Sequence, residues 1–216
     1  MYPPGYAVYI TLGKAMDTPE EKYQRMAMAM QKVASELKGE SERGCVVLAF
    51  AWMDDQLTNN LRKFLLPSAQ QSAKADELLG VGRPVGDAAA KIDLCLRLGL
   101  LHQHTHKSLH MFRRLRNDFA HMASDISFST PSIHDRVLAI FDNEEPVIRS
   151  LWESIVQDPE VRAATEHNRN KSGPHILRTA LGTRSLFEQT AASLVAGLIS
   201  IEYALTPIKP PGRVNA

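Results

Sequence analysis

Apolar side chains recur every three or four residues along most of the chain, which is the spacing of an amphipathic α-helix rather than of a strand. The first such segment begins at Thr18, where Glu21 completes a predicted capping box, and it ends at Gly39. Residues 41–66 follow. They are apolar on all sides in their first half, as expected of a central helix, and Pro67 predicts the end of that helix.

The second half of the chain continues the helical pattern. Asp87 is a predicted cap of a helix that ends at Gly99, and a short connection leads to an antiparallel helix that carries His121 near its end. Further helices are predicted at residues 133–141, 146–156 and 175–205. No pair of alternating strands and no strand–helix–strand rhythm occurs. The sequence therefore predicts an all-α fold, a single bundle of about six to eight helices.

The length of the chain limits the number of domains, and its net charge limits the classes of partner. A chain of 216 residues suits one large domain, which we expect at residues 18–206, with a flexible N-terminus at 1–17 and a disordered tail at 207–216. Lysine and arginine number 25 against 24 aspartates and glutamates, a formal net charge of +1. No global electrostatic field therefore favours nucleic acid or an anionic membrane, so any such binding requires a local patch.

The cysteines and the apolar stretches indicate the compartment. Cys45 and Cys95 lie far apart in apolar surroundings, which predicts buried thiols rather than a disulfide. The N-terminus lacks the pattern of a secretory signal. Residues 189–201, the longest uncharged stretch near the C-terminus, fall short of the roughly 20 apolar residues that cross a bilayer. We therefore expect a cytoplasmic protein without membrane contacts.

The helix that ends near His121 carries the candidate chemistry. A helical projection places on its core side Phe112, Leu115, Phe119 and Met122. The opposite side gathers His106, His110, Arg113, Arg114, Asn117 and His121, with Arg116 and Asp118 at its two boundaries. Arginine forks and imidazoles suit a phosphate, but the same side chains can equally bond a neighbouring helix or stay solvated. The additional binding residues predicted here are His110, Arg113, Arg114 and Asp118.

Other motifs are weaker. His106 and His110 have the one-turn spacing of metal sites, within the histidine-rich residues 102–110. No acidic or cysteine third ligand lies nearby in the sequence, so we expect an exposed, helix-capping cluster and no metal. Asp54 and Asp55 point about 100° apart on a helix, which favours a solvated or salt-bridged pair over a shared acid–base site. No nucleophile motif and no phosphate loop occurs, and no cofactor is expected.

Two resemblances to known families follow from these motifs. The segment Arg116-Asn117-Asp118-Phe119-Ala120-His121 has the Arg, four residues, His pattern that typifies HEPN domains, small helical bundles that often act as metal-independent ribonucleases. A longer part of the chain, residues 41–141, resembles the mannitol operon repressor family. The segments that carry this second resemblance are residues 52–65, Pro84-Val85-Gly86, Ala90-Lys91-Ile92, Leu98-Gly99-Leu100, residues 115–121 and Ser127-Phe128.

The resemblance to mannitol operon repressors implies a regulator of carbohydrate-uptake operons that represses transcription through a protein partner. The residues agree with indirect action, because the sequence has no helix-turn-helix with a basic recognition helix, no zinc-finger spacing and no basic arm. We therefore expect a homodimer that acts in transcriptional regulation through protein–protein contacts. Sequence-specific DNA binding by the pure protein is not expected.

The HEPN resemblance implies the alternative, a metal-independent endoribonuclease that binds RNA. Arg116 would bind the scissile phosphate and His121 would act as general base or acid, while Asn117 would orient the pair. In catalytic HEPN proteins two such motifs meet across a homodimer. A structural dimer with a vestigial site is a third interpretation.

Overall fold

The computed structural model of the protein describes residues 18–68, 76–121, 126–156, 159–166 and 170–210. Over these ranges the chain forms nine α-helical segments and no strand. In chain order they are α1 (Pro19–Lys38), α2 (Glu42–Phe64), α3 (Ala88–Arg97), α4 (Gln103–His121), α5 (Pro131–Asn143), α6 (Glu145–Ile155), α7 (Pro159–Thr165), α8 (Gly173–Ala180) and α9 (Thr183–Ala204). Only Glu144 separates α5 from α6, so this pair can be counted as one broken helix. The predicted all-α bundle is confirmed.

Local hydrogen bonds explain where the helices begin and end. The Thr18 hydroxyl accepts a hydrogen bond from the Glu21 backbone N–H, and the Glu21 carboxylate accepts one from the Thr18 N–H at 2.7 Å. The capping box predicted for α1 is therefore confirmed. Asp87 caps α3 by accepting from two backbone N–H groups of the first turn. Gly99 follows α3 with a φ of 74°, a left-handed conformation that glycine adopts without strain.

The core is built around α9, which packs against α1, α2, α5 and α6. A group of aromatic rings joins α9 to α4. The ring centroid of Phe187 lies 5.4 Å from that of Phe112 and 5.2 Å from that of Phe128, which in turn lies 5.6 Å from that of Phe119. Aromatic pairs contribute about 0.5–1.5 kcal/mol each beyond their burial. These contacts fix α4, and with it the candidate site, on the core.

Both cysteines are buried, and the long uncharged stretch near the C-terminus belongs to a core helix. Cys45 and Cys95 are buried and free, as predicted. Desolvation raises the pKa of each thiol to about 12, so neither is a reactive thiolate at neutral pH. Residues 189–201 lie within the buried α9. In the described part of the chain, no helix has the length and apolar character that crossing a membrane requires.

The prediction of one long helix at residues 175–205 is wrong. The chain forms α8 and α9 there, because the backbone is extended at Leu181 and at Gly182, which is the N-cap of α9. The apolar period continues across this break, since Leu177 and Leu181 both pack against the core. Periodicity therefore could not reveal it. The short helix α7 was likewise not predicted.

Some residues for which the sequence makes a prediction are not among the described residues. The N-terminus at residues 1–17, Met122 and the last part of the predicted tail, residues 211–216, lie outside them. Residues 207–210 of that tail are described. There the N–H of Ile208 donates a hydrogen bond to the carbonyl oxygen of Phe64 at 2.9 Å. This bond attaches the chain after α9 to the end of α2.

Candidate functional site

Helix α4 packs against α2, α3 and α5. Its core side is the predicted one, since Phe112, Leu115 and Phe119 are fully buried, together with Leu109 of the preceding turn. The neighbouring α5 is attached through the side-chain amide of Asn143, which donates hydrogen bonds to the His104 carbonyl and the Ser108 hydroxyl at 2.8 and 2.7 Å. The polar side of α4 is thereby held in a fixed orientation.

The predicted polar face of α4 is divided among separate environments. His106 and His110 face α3, where both contact Asp93. Arg113, Arg116 and Asn117 line a cleft beside α2. Arg114 and His121 are exposed to solvent, and the ion pair between Asp118 and Arg136 connects α4 to α5. Of the four additional binding residues predicted from the sequence, only Arg113 lines the cleft.

The cleft has a volume of about 400 Å³ and lies between α2, the start of α3 and α4. Its apolar lining comes from α2, including Phe50, and from Ala88 and Ala89 at the start of α3. Its charged lining consists of Arg113 and Arg116 from α4, Asp54 and Asp55 from α2, and Asp87 before α3. The cleft therefore combines apolar contact area with groups of both charges, which is typical of binding sites rather than of cores.

Much of the acidic lining is already engaged. The Lys91 ammonium lies 2.9 Å from both carboxylate oxygens of Asp54, and Asp87 accepts the N-terminal hydrogen bonds of α3. Asp54 is therefore salt-bridged and Asp55 is exposed, as predicted, but both carboxylates line the same cleft, which the angle between them on the helix did not predict. With Lys91 included, three formal positive charges balance three negative ones around the cleft.

The arginines leave hydrogen-bonding capacity in the cleft. Nη1 of Arg116 donates to Oδ1 of Asn117 at 3.2 Å. Nε of Arg113 is buried and has no hydrogen-bond partner among the described residues. A buried donor without an acceptor costs about 1–3 kcal/mol. Arg113 also lines the cleft, so a turn of its side chain would bring Nε to an acceptor group that entered there and remove that cost. Arg113 is therefore the strongest indication that the cleft binds something.

Arg116 and His121 do not share a site within one chain. Arg116 is half-buried and lines the cleft, whereas His121 is exposed and lies outside its lining. Five residues along an α-helix correspond to a rotation of about 140°, so the two side chains leave α4 in different directions. The cleft of a single chain therefore holds Arg116 without His121.

Asp93 is the functional candidate that the sequence prediction missed. Its Oδ1 lies 2.8 Å from Nε2 of His106 and 2.9 Å from Nε2 of His110. Hydrogen bonds from His106, and then from His110, lower the pKa of the Asp93 carboxyl. The expectation of an exposed, helix-capping cluster is wrong for these two histidines, because a carboxylate on α3 faces them.

The sequence signal that points to Asp93 is the antiparallel arrangement of α3 and α4. The start of α3 shares the cleft with Arg113 and Arg116, whereas Asp93 lies opposite His106, so the two helices run in opposite directions. A hairpin that turns near Gly99 brings residue 93 opposite residues 105–106. The sequence predicted that the two helices are antiparallel. That prediction, combined with the one-turn spacing of His106 and His110, would have identified Asp93.

Comparison of the chain with protein-family models, with curated proteins and with solved structures finds no match. The resemblance to mannitol operon repressors and to HEPN domains therefore depends on the quoted motifs alone. What the site does must be inferred from the geometry of its own residues.

Proposed function

We propose that the protein is a mannitol-repressor-like regulator that acts in transcriptional regulation through protein–protein contacts, and that its partner binds in the cleft between α2 and α4. The observation that carries this proposal is the buried, unpartnered Nε of Arg113. When the Arg113 side chain turns towards the cleft, a carboxylate or carbonyl oxygen of a partner chain would accept the hydrogen bond of Nε in a largely desolvated position. Arginines in such positions often dominate the energy of protein interfaces.

The charge of the cleft favours a protein segment over a nucleic acid. Polyanions bind where several cations are free to neutralise phosphates, and their affinity depends on that excess. Around this cleft Asp54, Asp55 and Asp87 balance Arg113, Arg116 and the neighbouring Lys91. A partner segment with an acidic side chain and apolar neighbours complements both the arginines and the apolar lining.

The proposal includes a homodimer in the cytoplasm. The dimer is the arrangement that the HEPN resemblance of the α4 motif implies, and a transcriptional regulator without a DNA-reading helix must meet its partner where transcription takes place. Direct, sequence-specific DNA binding is not part of this function, and neither is catalysis.

The test compares three arginines of one helix. The tagged full chain is used to identify a co-purifying protein, and calorimetry then measures the affinity of the purified partner for the wild type and for Arg113→Met and Arg116→Met. We expect each variant to lower the affinity by on the order of tenfold or more. Arg114→Met, which changes an exposed arginine on the same helix, should leave it unchanged.

Two results would overturn the proposal. One is equal loss of affinity in all three arginine variants, which would indicate a general charge effect. The other is tight, specific binding of the pure protein to operator DNA in a mobility-shift assay, since the proposed mode of action needs no DNA contact by this chain.

A HEPN-type endoribonuclease is the second candidate, and one contact favours it. The hydrogen bond from Arg116 to Asn117 fits the orienting role that the HEPN resemblance implies for Asn117. The exposed imidazole of His121 is accessible to a second copy of the motif, as a dimeric active site would require. In that reaction Arg116 would bind the scissile phosphate and His121 would transfer the proton of the ribose 2′-hydroxyl.

Incubation with single-stranded RNA separates the two candidates. Under the regulator proposal, RNA stays intact with and without a chelator. Cleavage that resists the chelator, is lost in His121→Ala and persists in His102→Ala, which also changes an exposed histidine, would instead establish the ribonuclease. Circular dichroism of both variants checks that the fold is retained.

A further inference from the structure

Three side chains from two helices converge on one point of the α3–α4 surface. They are Asp93, His106 and His110, and the ligand atoms that they offer all lie within 4.8 Å of one another. Both imidazoles direct Nε2 at the same carboxylate oxygen, with ring centroids 4.6 Å apart. This group shares no residue with the cleft lining, so it is a separate site.

The donor set is that of a transition-metal site. Two imidazole nitrogens and one carboxylate oxygen bind zinc in sites that keep a fourth position open, and the same set binds non-haem iron. At zinc–ligand distances of 2.0–2.1 Å, tetrahedral geometry separates the ligand atoms by about 3.3 Å. The two nitrogen–oxygen distances are 2.8 and 2.9 Å, so each needs to open by only about half an ångström.

The residues around Asp93, His106 and His110 hold these side chains in place and leave them accessible to an ion from solvent. The one-turn spacing of His106 and His110 fixes both rings on the same side of α4, and Asn143 anchors that part of the helix through the His104 carbonyl and the Ser108 hydroxyl. The histidine side chains are 23% and 18% exposed, whereas that of Asp93 is 61% exposed. An ion can therefore approach from the solvent side and keep a water molecule as its remaining ligand.

We propose that Asp93, His106 and His110 bind one divalent transition-metal ion of the zinc type, with an open coordination position facing solvent. Each histidine binds through an Nε2 that has released its proton, so the ion takes the place of the protons that hold the group together in the metal-free protein. The ion links α3 to α4 more firmly than the two hydrogen bonds do.

The experiment uses the full chain after treatment with a chelator. Titration with Co²⁺, followed by visible absorption, reports nitrogen and oxygen coordination, and calorimetry with Zn²⁺ gives the affinity and the stoichiometry. We expect one ion per chain in the wild type. Asp93→Asn, His106→Gln and His110→Gln should each weaken binding by on the order of tenfold or more.

The same stretch of chain provides matched controls. His102 and His104 form a stacked pair with ring centroids 5.6 Å apart, and neither belongs to the proposed ligand set. His102→Gln and His104→Gln should therefore retain wild-type binding. Absence of saturable binding, or equal loss in the control variants, overturns the proposal. Thermal melts in chelator confirm that each variant is folded, and binding to the partner protein remains an independent measurement.

Discussion

The ammonium group of Lys91 lies 2.9 Å from each carboxylate oxygen of Asp54, and this ion pair joins α3 to α2 beside the cleft. The two partners differ in burial, because the Lys91 side chain is 6% exposed and that of Asp54 is 29% exposed. Removing either partner leaves the other without a counter-ion, and the cost depends on how well water can replace it.

Asp54→Asn should therefore destabilise the protein more than Lys91→Met does. We expect a loss of about 2–4 kcal/mol for Asp54→Asn, which leaves a buried ammonium, and about 1–2 kcal/mol for Lys91→Met, which leaves a carboxylate that water can reach. Urea denaturation at pH 7 measures both values. Equal losses would mean that the difference in burial has no energetic effect.

A second prediction concerns Glu144, between α5 and α6. Its carboxyl is buried, and Oε1 has no hydrogen-bond partner among the described residues. Desolvation raises the pKa of Glu144, while a hydrogen bond with Ser108 opposes the shift. A raised folded-state pKa favours the protonated form. The protonated Glu144 carboxyl therefore stabilises the fold. This stabilisation is fully present below the ordinary carboxyl pKa of 4.5 and is lost as the pH rises through the higher folded-state pKa.

Glu144→Gln removes the charge and should therefore stabilise the protein at pH 7 by about 1 kcal/mol. The difference from the wild type should shrink as the pH falls through the raised folded-state pKa of Glu144, because the carboxyl is then protonated. Urea midpoints between pH 4 and pH 8 follow both trends. Glu145→Gln is the control, because it removes a charge paired with Arg149 at the surface, and it should give no gain.

A third prediction compares two glycines. A Cβ on Gly173, at the start of α8, would lie 2.0 Å from the indole of Trp152 on α6, whereas a Cβ on Gly197 within α9 would have no such neighbour within 4 Å. Gly173→Ala should therefore cost about 1–3 kcal/mol through overpacking. Gly197→Ala should stabilise α9 by about 0.5–1 kcal/mol, because alanine is the better helix former.

Denaturation measures both glycine variants, and fluorescence localises the first effect. In a Trp52→Phe background Trp152 is the remaining tryptophan, so its emission should change in Gly173→Ala and stay the same in Gly197→Ala. An unchanged spectrum together with unchanged stability in Gly173→Ala would show that α6 and α8 are not packed as closely as the structure has them.

Helix boundaries were predictable from the sequence wherever the signal is local. Thr18 with Glu21, Asp87 and Gly99 act within one turn of the chain, so their effects do not depend on the rest of the fold. The break between α8 and α9 is different. Leu177 and Leu181 continue the apolar period across it, and the one local signal there is Gly182, a residue that a helix can also contain.

The candidate site was predictable as a face but not as a set of partners. The helical projection separated the core side of α4 from its polar side. It could not divide the polar side, because Arg113 lines the cleft beside α2 while His110, less than one turn away, meets Asp93 of α3. That division depends on how far each neighbouring helix extends along α4, which is a property of the tertiary structure.

The central position of α9 affects how the chain folds during synthesis. This helix follows the other eight described helices in the chain, yet α1, α2 and α5 all bury their apolar sides against it. Until residues 183–204 have left the ribosome, those helices lack their main partner and expose apolar surface to the cell. Closure of the core is therefore a late event, and the apolar sides of α1, α2 and α5 can associate with other chains until α9 packs against them.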